Sequence, residues 1–245
     1  MCRMMLLKGN YEPIIDPMLQ AFKEVCKDDP LNREPDGSIY RHADGWGSVN
    51  IQDNIEYRKS AEPVYLAKSL EAKDGIYMIH ARKTSTGEPA GVGFTHPFHG
   101  SDSENEYWLS HNGDFEKARL AEYMGKQTPK GESDSQVFFD LFIIQPGNGK
   151  EKLSQAIKIV NDLHAIKSIA NLFLISYNRI SGKQSGLAYT DAPSDKAYGE
   201  NSMLYSVGNE QMRAFFSSSV GYSRHFEEIG ISAMDKIPRG TIVEI

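Results

Sequence analysis

Cysteine is scarce in this chain. Cys2 and Cys26 are its only two among 245 residues, which excludes a disulfide framework and the multi-cysteine zinc spacings and suits a reducing compartment. Long apolar runs are missing too: none approaches the roughly 18 residues that span a bilayer. Met4-Met5-Leu6-Leu7 gives way at once to Lys8-Gly9-Asn10, unlike the core of a secretory leader. These absences lead us to expect a soluble, cytoplasmic protein with no membrane partner. Basic charge is not in excess either. Lys and Arg number 27 against 33 Asp and Glu, for a net charge of −6. A phosphate-binding surface needs the opposite sign, so nucleic acid is not expected as a partner. No like-charge tail, repeat, low-complexity segment or linker interrupts the sequence.

What is there reads as an ordinary globular chain, 40% hydrophobic and 24% charged, able to bury a core of useful size. Residues 3–8, Arg-Met-Met-Leu-Leu-Lys, predict a short buried strand, so the chain enters its core directly after Cys2. Asp16-Pro17 predicts a helix start, with Asp as N-cap and Pro at the first helical position. Leu19, Phe22 and Cys26 then fall at helical spacing, which makes Cys26 a buried, inert thiol. A polar loop over 31–45 runs into a strand at Trp46–Ile51. Further strands are expected at Ile55–Lys59, near Val64-Tyr65-Leu66 and at Gly75–Arg82. Residues 88–106 are rich in Gly, Pro and Ser and read as loop. A strand from Tyr107 precedes three helices. The first covers Glu116–Met124; Ser133 or Asp134 caps the second; Leu153, Ala156, Ile157 and Val160 mark the third. Asn171–Tyr177 is a nearly continuous apolar run, read as a central strand, with shorter strands at 186–190, 202–207, 213–218 and 240–245. Strands, then helices, then strands again predict two sheets with helices outside them, in one domain over 1–245.

Several residues carry chemistry. Cys2 stands directly behind Met1, and an initiator methionine is commonly removed ahead of a small side chain. Cys2 would then hold a thiol nucleophile and a free α-amine on one residue, a nucleophile beside its own base. The amine's reference pKa of about 7.7–8.0 leaves roughly a tenth to a fifth of it neutral at pH 7 and able to accept a proton. If Met1 stays, that nitrogen is an amide and cannot be the base. Arg41-His42-Ala43-Asp44-Gly45-Trp46-Gly47 is either a tight turn or a loop whose backbone passes close to a ligand. Arg82 ends a strand ahead of Thr84-Ser85-Thr86, which suits a two-pronged grip on a carboxylate or a surface ion pair. Asn112-Gly113 is a turn signal, and it also sets an amide side chain beside an unhindered N–H, two donors fit for an oxyanion hole. His96 and His99 are split by Pro97 and lack a carboxylate pattern, so no metal is expected there.

Together these landmarks resemble the class II glutamine amidotransferases, members of the N-terminal-nucleophile hydrolases. The matching pieces are Cys2 behind Met1, Asp44-Gly45-Trp46-Gly47, His80-Ala81-Arg82-Lys83-Thr84-Ser85-Thr86-Gly87, His111-Asn112-Gly113, Ser133-Asp134-Ser135 and the closing Ile237-Pro238-Arg239-Gly240-Thr241-Ile242-Val243. Their order is the family's order, and the small stand-alone members are the most similar. The resemblance implies an α+β fold, a four-layer αββα sandwich of two mainly antiparallel sheets flanked by helices. It implies Cys2 as nucleophile, with Asn112 and Gly113 holding the oxyanion. Arg82 would bind the substrate α-carboxylate and Asp134 its α-ammonium, with Ser85 and Thr86 also in the substrate pocket. No cofactor is implied.

The family often has Thr where this chain has Ala81, and an aromatic where it has Lys83. These positions touch the pocket edge, so the substrate stays open between glutamine and a larger γ-glutamyl compound. Glutamine would give glutamate and ammonia, the latter passing to a partner synthetase subunit; a larger substrate would suit a free-standing amidohydrolase. A third reading is a regulatory homologue without activity, against which the full set of Cys2, Arg82, Asn112, Gly113 and Asp134 counts.

Overall fold

A computed structural model describes residues 1–10, 12–84, 90–208, 212–230 and 234–245. In chain order the elements are β1 (Arg3–Gly9), α1 (Glu12–Lys27), β2 (Trp46–Ile51), β3 (Ile55–Ser60), β4 (Gly75–Ala81), β5 (Phe98–Ser101), β6 (Asn105–Phe115), α2 (Lys117–Tyr123), α3 (Asp134–Ile143), α4 (Gly149–Asp162), β7 (Ile166–Asn178), β8 (Gln184–Asp191), β9 (Leu204–Gly208), β10 (Met212–Ser217), α5 (Arg224–Glu227), β11 (Asp235–Lys236) and β12 (Val243–Glu244). The strands form a seven-stranded sheet, ordered β11-β9-β10-β1-β4-β2-β3, and a five-stranded sheet, ordered β12-β8-β7-β6-β5. Every pairing is antiparallel.

Alternation along β1 builds the layers. Successive side chains of a strand leave opposite faces. Met5 and Leu7 point to one face and join Leu19, Phe22 and Cys26 of α1. Met4 and Leu6 point to the other and meet Trp108, Phe173 and Ile175 of the second sheet. With both faces covered, the strand reads as one unbroken apolar run. The far face of the second sheet does the same work. Leu109, Leu172 and Leu174 pack there against Phe138 and Phe142 of α3 and Leu153 of α4. Helix, sheet, sheet and helix thus enclose three apolar layers, the αββα sandwich expected above. Each fully buried Leu or Phe in those layers contributes about 1.5–3 kcal/mol. Among the described residues, no helix is long and apolar enough to cross a membrane.

Local departures from the sequence reading have physical reasons. The expected start at Asp16-Pro17 is late: α1 begins at Glu12, and Pro17 lies inside it. Pro17 removes one backbone hydrogen bond, but the extra turn brings Ile15 to 8% exposure against the core. Val64-Tyr65-Leu66 is a single 3₁₀ turn, not a strand. Pro63 sets its φ at −59°, Val64 is buried beneath α1, and Lys23 Nζ donates to the Ala67 carbonyl at 2.9 Å. The loop expected over 88–106 contains β5, where a Cβ on Gly100 would sit 3.0 Å from Phe139. There the missing side chain makes room for the helix layer and hides the strand's alternation. Elements as short as α5, four residues, and β11, two residues, show no period to read.

Candidate active site

Cys2 is held at the head of β1, which lies between β10 and β4. Three of its atoms are engaged. Its N–H donates to Asn112 Oδ1 at 2.7 Å. Its carbonyl accepts from Arg3 Nη1 at 2.9 Å. Its Sγ lies 3.4 Å from the Lys83 N–H and 3.6 Å from the Lys83 carbonyl. The residue is half-buried. Burial pushes the thiol up; the chain-terminal amine, the Lys83 N–H and the Arg82 and Arg3 charges work against that rise. Met1 precedes it, with its amine donating to Tyr40 Oη at 2.6 Å and its sulfur accepting from Ser202 Oγ at 3.5 Å. Burial also lowers that amine from its ordinary value.

Asn112 and Gly113 lie within β6. The Asn-Gly pair does not make the hairpin turn the sequence suggests, because β6 continues and pairs with β7, with a bulge between Gly113 and Phe115. Gly113 has φ +143°, and a Cβ there would fall 1.8 Å from the Ile169 carbonyl oxygen. The close approach of β7 therefore demands glycine. Asn112 is buried. Its oxygen is taken by Cys2, and its Nδ2 has no partner among the described residues. The amide thus holds Cys2 with one end and keeps donors in reserve at the other.

Arg82 follows the end of β4. Its N–H donates to the Gly45 carbonyl at 2.8 Å, and its own carbonyl accepts from Asp44 N–H at 3.1 Å. Asp44 Oδ2 in turn accepts from Thr84 N–H at 2.7 Å. The Asp44-Gly45 loop therefore shapes the backbone that carries Arg82. The guanidinium is buried, and Nη1 has no partner among the described residues. A buried cation with an unused donor fits an anion. Asp134 is the first residue of α3, behind the N-cap Ser133, whose Oγ accepts from Gln136 N–H. Its Oδ2 accepts from Phe115 N–H at 2.6 Å and its Oδ1 from Ser135 Oγ at 3.3 Å, which ties α3 to the strand bearing Asn112 and Gly113. Asn112 and Lys83 touch Cys2 directly; Gly113 and Arg82 are their neighbours in the chain, and the Arg82 charge acts on the Cys2 thiol. Asp134 reaches them through β6, and no hydrogen bond among the described residues joins it to Cys2 or Arg82. Ser85 and Thr86 lie outside the described residues.

Lys83, expected from the sequence at the pocket edge, has neighbours in this corner that the sequence reading did not single out. Lys83 Nζ pairs with Glu34 Oε1 at 2.7 Å and lies 4.9 Å from the centre of the Tyr40 ring. Behind Cys2, Arg3 and Asp29 form an ion pair at 2.6 Å with both side chains fully buried, and His42 Nε2 meets the same carboxylate at 2.8 Å. A charge at the head of an apolar strand was the available signal, since a buried cation needs a partner. His96 and His99 do not converge: His96 packs on His80, and His99 pairs with Glu106 and stacks on Trp108. Among the described residues no cluster of three or more His, Cys, Asp or Glu could hold a metal.

Four buried histidines make the fold acid-sensitive. Burial lowers His42 to about 4 and His80 to about 3, and it also lowers His96 and His111. Each is neutral when folded, yet an unfolded histidine takes a proton near pH 6.5. Their stabilisation is complete above that pH and is lost as pH falls toward the folded values. For His42 the loss is on the order of 3 kcal/mol. Urea unfolding at about pH 7 and about pH 4.5 should show the drop, and His42→Asn should flatten it. A pH-independent midpoint would contradict the neutral-histidine account.

The family model for "Glutamine amidotransferases class-II" matches residues 32–168, more than half of the chain. That span includes Arg82, Asn112, Gly113 and Asp134 and stops short of Cys2. Among solved structures, the allosteric regulatory enzyme of purine biosynthesis superposes with a TM-score of 0.66 at 14% identity, over 100% of this chain and 47% of that one. The glutamine phosphoribosylpyrophosphate amidotransferase from B. subtilis, complexed with ADP and GMP, gives 0.63 at 13% identity, with the same two coverages. This chain therefore spans about half the length of either structure, and at such identity the likeness is one of fold. No curated protein matches the sequence.

Proposed function

The chain belongs to the class II glutamine amidotransferases, and from that membership we propose that Cys2, freed of Met1, hydrolyses the γ-amide of glutamine through a thioester and that the ammonia passes to a partner synthetase. Arg82 binds the substrate α-carboxylate and Asp134 its α-ammonium, so both charged ends of the amino acid are recognised. The Cys2 amine takes the thiol proton, and the sulfur attacks the γ-amide carbon. The Asn112 Nδ2–H and the Gly113 N–H hold the oxyanion. The C–N bond breaks, and ammonia leaves with the proton returned by the amine. Water then cleaves the thioester, releasing glutamate and restoring the thiol.

The observation that carries this reading is the division of labour on Asn112. Its Oδ1 fixes the Cys2 nitrogen at 2.7 Å while its Nδ2 is buried without a partner among the described residues. Asn112→Asp keeps an acceptor for Cys2 and deletes the donor. It should lower kcat for glutamine by about 10²–10³. An unchanged kcat would remove Asn112 from the oxyanion site. The reaction class is tested by intact mass together with labelling by a diazo-ketone analogue of glutamine. Loss of one methionine and one adduct on residue 2 are expected; an adduct on Cys26 would overturn the assignment.

One observation favours a second reading of the substrate. The Lys83–Glu34 pair beside Sγ is partly exposed, with side chains 27% and 29% accessible. A polar rim of this kind suits a γ-glutamyl amide carrying a polar group on its nitrogen. Glutamate release from glutamine, set against release from γ-glutamyl dipeptides, separates the two.

A further inference from the structure

Asp29 is a buried carboxylate that the proposed reaction does not use, and it is unusually well held. Its Oδ2 faces Arg3 Nη2 at 2.6 Å and His42 Nε2 at 2.8 Å. Its Oδ1 accepts from Ser219 Oγ at 2.8 Å and from Leu31 N–H at 2.9 Å. Burial works to raise this carboxyl, but the His42 hydrogen bond and the Arg3 charge outweigh it and hold it well below the usual carboxylate range. Arg3, Asp29, His42 and Ser219 come from four separate stretches of chain, and all four are fully buried. Burying an ion pair rarely gains stability over an apolar pair of similar size. The arrangement therefore needs another account, and the second fork of Arg3 supplies one: Nη1 donates to the Cys2 carbonyl at 2.9 Å.

We propose that Arg3, braced by Asp29 and His42, is a positioning residue that clamps the carbonyl of the nucleophile residue and so aims its sulfur and its nitrogen together. The proposal rests on the reading of Cys2 as nucleophile. Asn112 holds the nitrogen, Lys83 the sulfur and Arg3 the carbonyl oxygen. Three contacts on one residue fix its orientation; two leave it free to turn about the line joining them. With Met1 removed, as the proposed function requires, no preceding residue restrains that turn. Only a guanidinium can reach the carbonyl with one nitrogen while its neighbour faces a carboxylate, since its donors are set in a rigid fork. Misplacing a reacting atom by about 1 Å can cost 10²-fold in rate.

The test uses Arg3→Lys and the double variant Arg3→Gln/Asp29→Asn, which removes both charges so that neither is left buried alone. Three quantities are read on folded protein: kcat and KM for glutamine, and the rate at which iodoacetamide alkylates Cys2 as a function of pH. The double variant should lose about 10²-fold in kcat with KM within about threefold of the parent, and its alkylation should slow with a midpoint moved to higher pH. Arg3→Lys keeps the charge and a single donor nitrogen in place of the fork, so it should recover part of kcat and most of the alkylation profile. A purely structural network would lower the melting temperature and leave kcat and alkylation of the folded fraction within about twofold of the parent, which overturns the proposal. Should the double variant not fold, Arg3→Lys decides alone: parental kcat sinks the clamp, and reduced kcat at unchanged KM supports it. Alkylation needs no glutamine. If the parent fails to turn glutamine over but its Cys2 alkylation depends on Arg3, the substrate reading fails and the clamp stands.

Discussion

A chain bearing an uncleavable residue ahead of Cys2 should hydrolyse glutamine about 10²–10⁴-fold more slowly than one that starts at Cys2. With Met1 in place the Cys2 nitrogen is an amide, whose lone pair is delocalised into the carbonyl, and it serves only as a donor to Asn112 Oδ1. The thiol is also pushed up by burial, so little thiolate forms without a base. The chain-terminal amine then belongs to Met1 and is engaged with Tyr40. Removing Met1 would put a basic nitrogen on the same residue as the sulfur. The rate of the processed chain should climb with pH as that amine loses its proton and then level off. Steady-state rates of the two forms, with masses verified, make the comparison. Equal rates would remove the amine from the mechanism.

Gly113→Ala should destabilise the fold by about 2–6 kcal/mol, or prevent folding, since it combines steric overlap with backbone strain. The new Cβ would lie 1.8 Å from the Ile169 oxygen and 2.6 Å from the Ile169 carbonyl carbon, both backbone atoms of the neighbouring strand. The φ of +143° is costly for any L side chain. Relief would require β6 and β7 to part at the bulge, just where Asn112 reaches for Cys2. Denaturant unfolding of the variant reads the loss directly. A stability within about 0.5 kcal/mol of the parent, the range of a neutral surface change, would mean that the strands separate without penalty there.

Much of this architecture was legible because it depends on periodicity. β1, β4 and β7 announce themselves by apolar runs, and α3 and α4 by their buried stripes. The candidate residues were legible for a different reason: chemistry favours certain pairs, such as a thiol beside an amine or an amide beside a glycine. What stayed hidden is tertiary. Asp29 follows a helix in the stretch Asp28-Asp29-Pro30, where nothing local marks burial, yet it is wholly buried because Arg3, His42 and Ser219 arrive from elsewhere. Asn112-Gly113 carries a turn signature that the neighbouring strand overrides by continuing the ladder. Val64-Tyr65-Leu66 has strand-like composition, but a proline before it and a helix above it leave room for one turn.

The position of β1 bears on what holds Cys2 in place. Its two neighbours are β4, which ends at Ala81, and β10, which covers Met212–Ser217. The strand that begins beside Cys2 is therefore flanked by segments far from it and from each other in the sequence. The surroundings of that sulfur are thus a product of tertiary assembly, which no short peptide around residue 2 could reproduce.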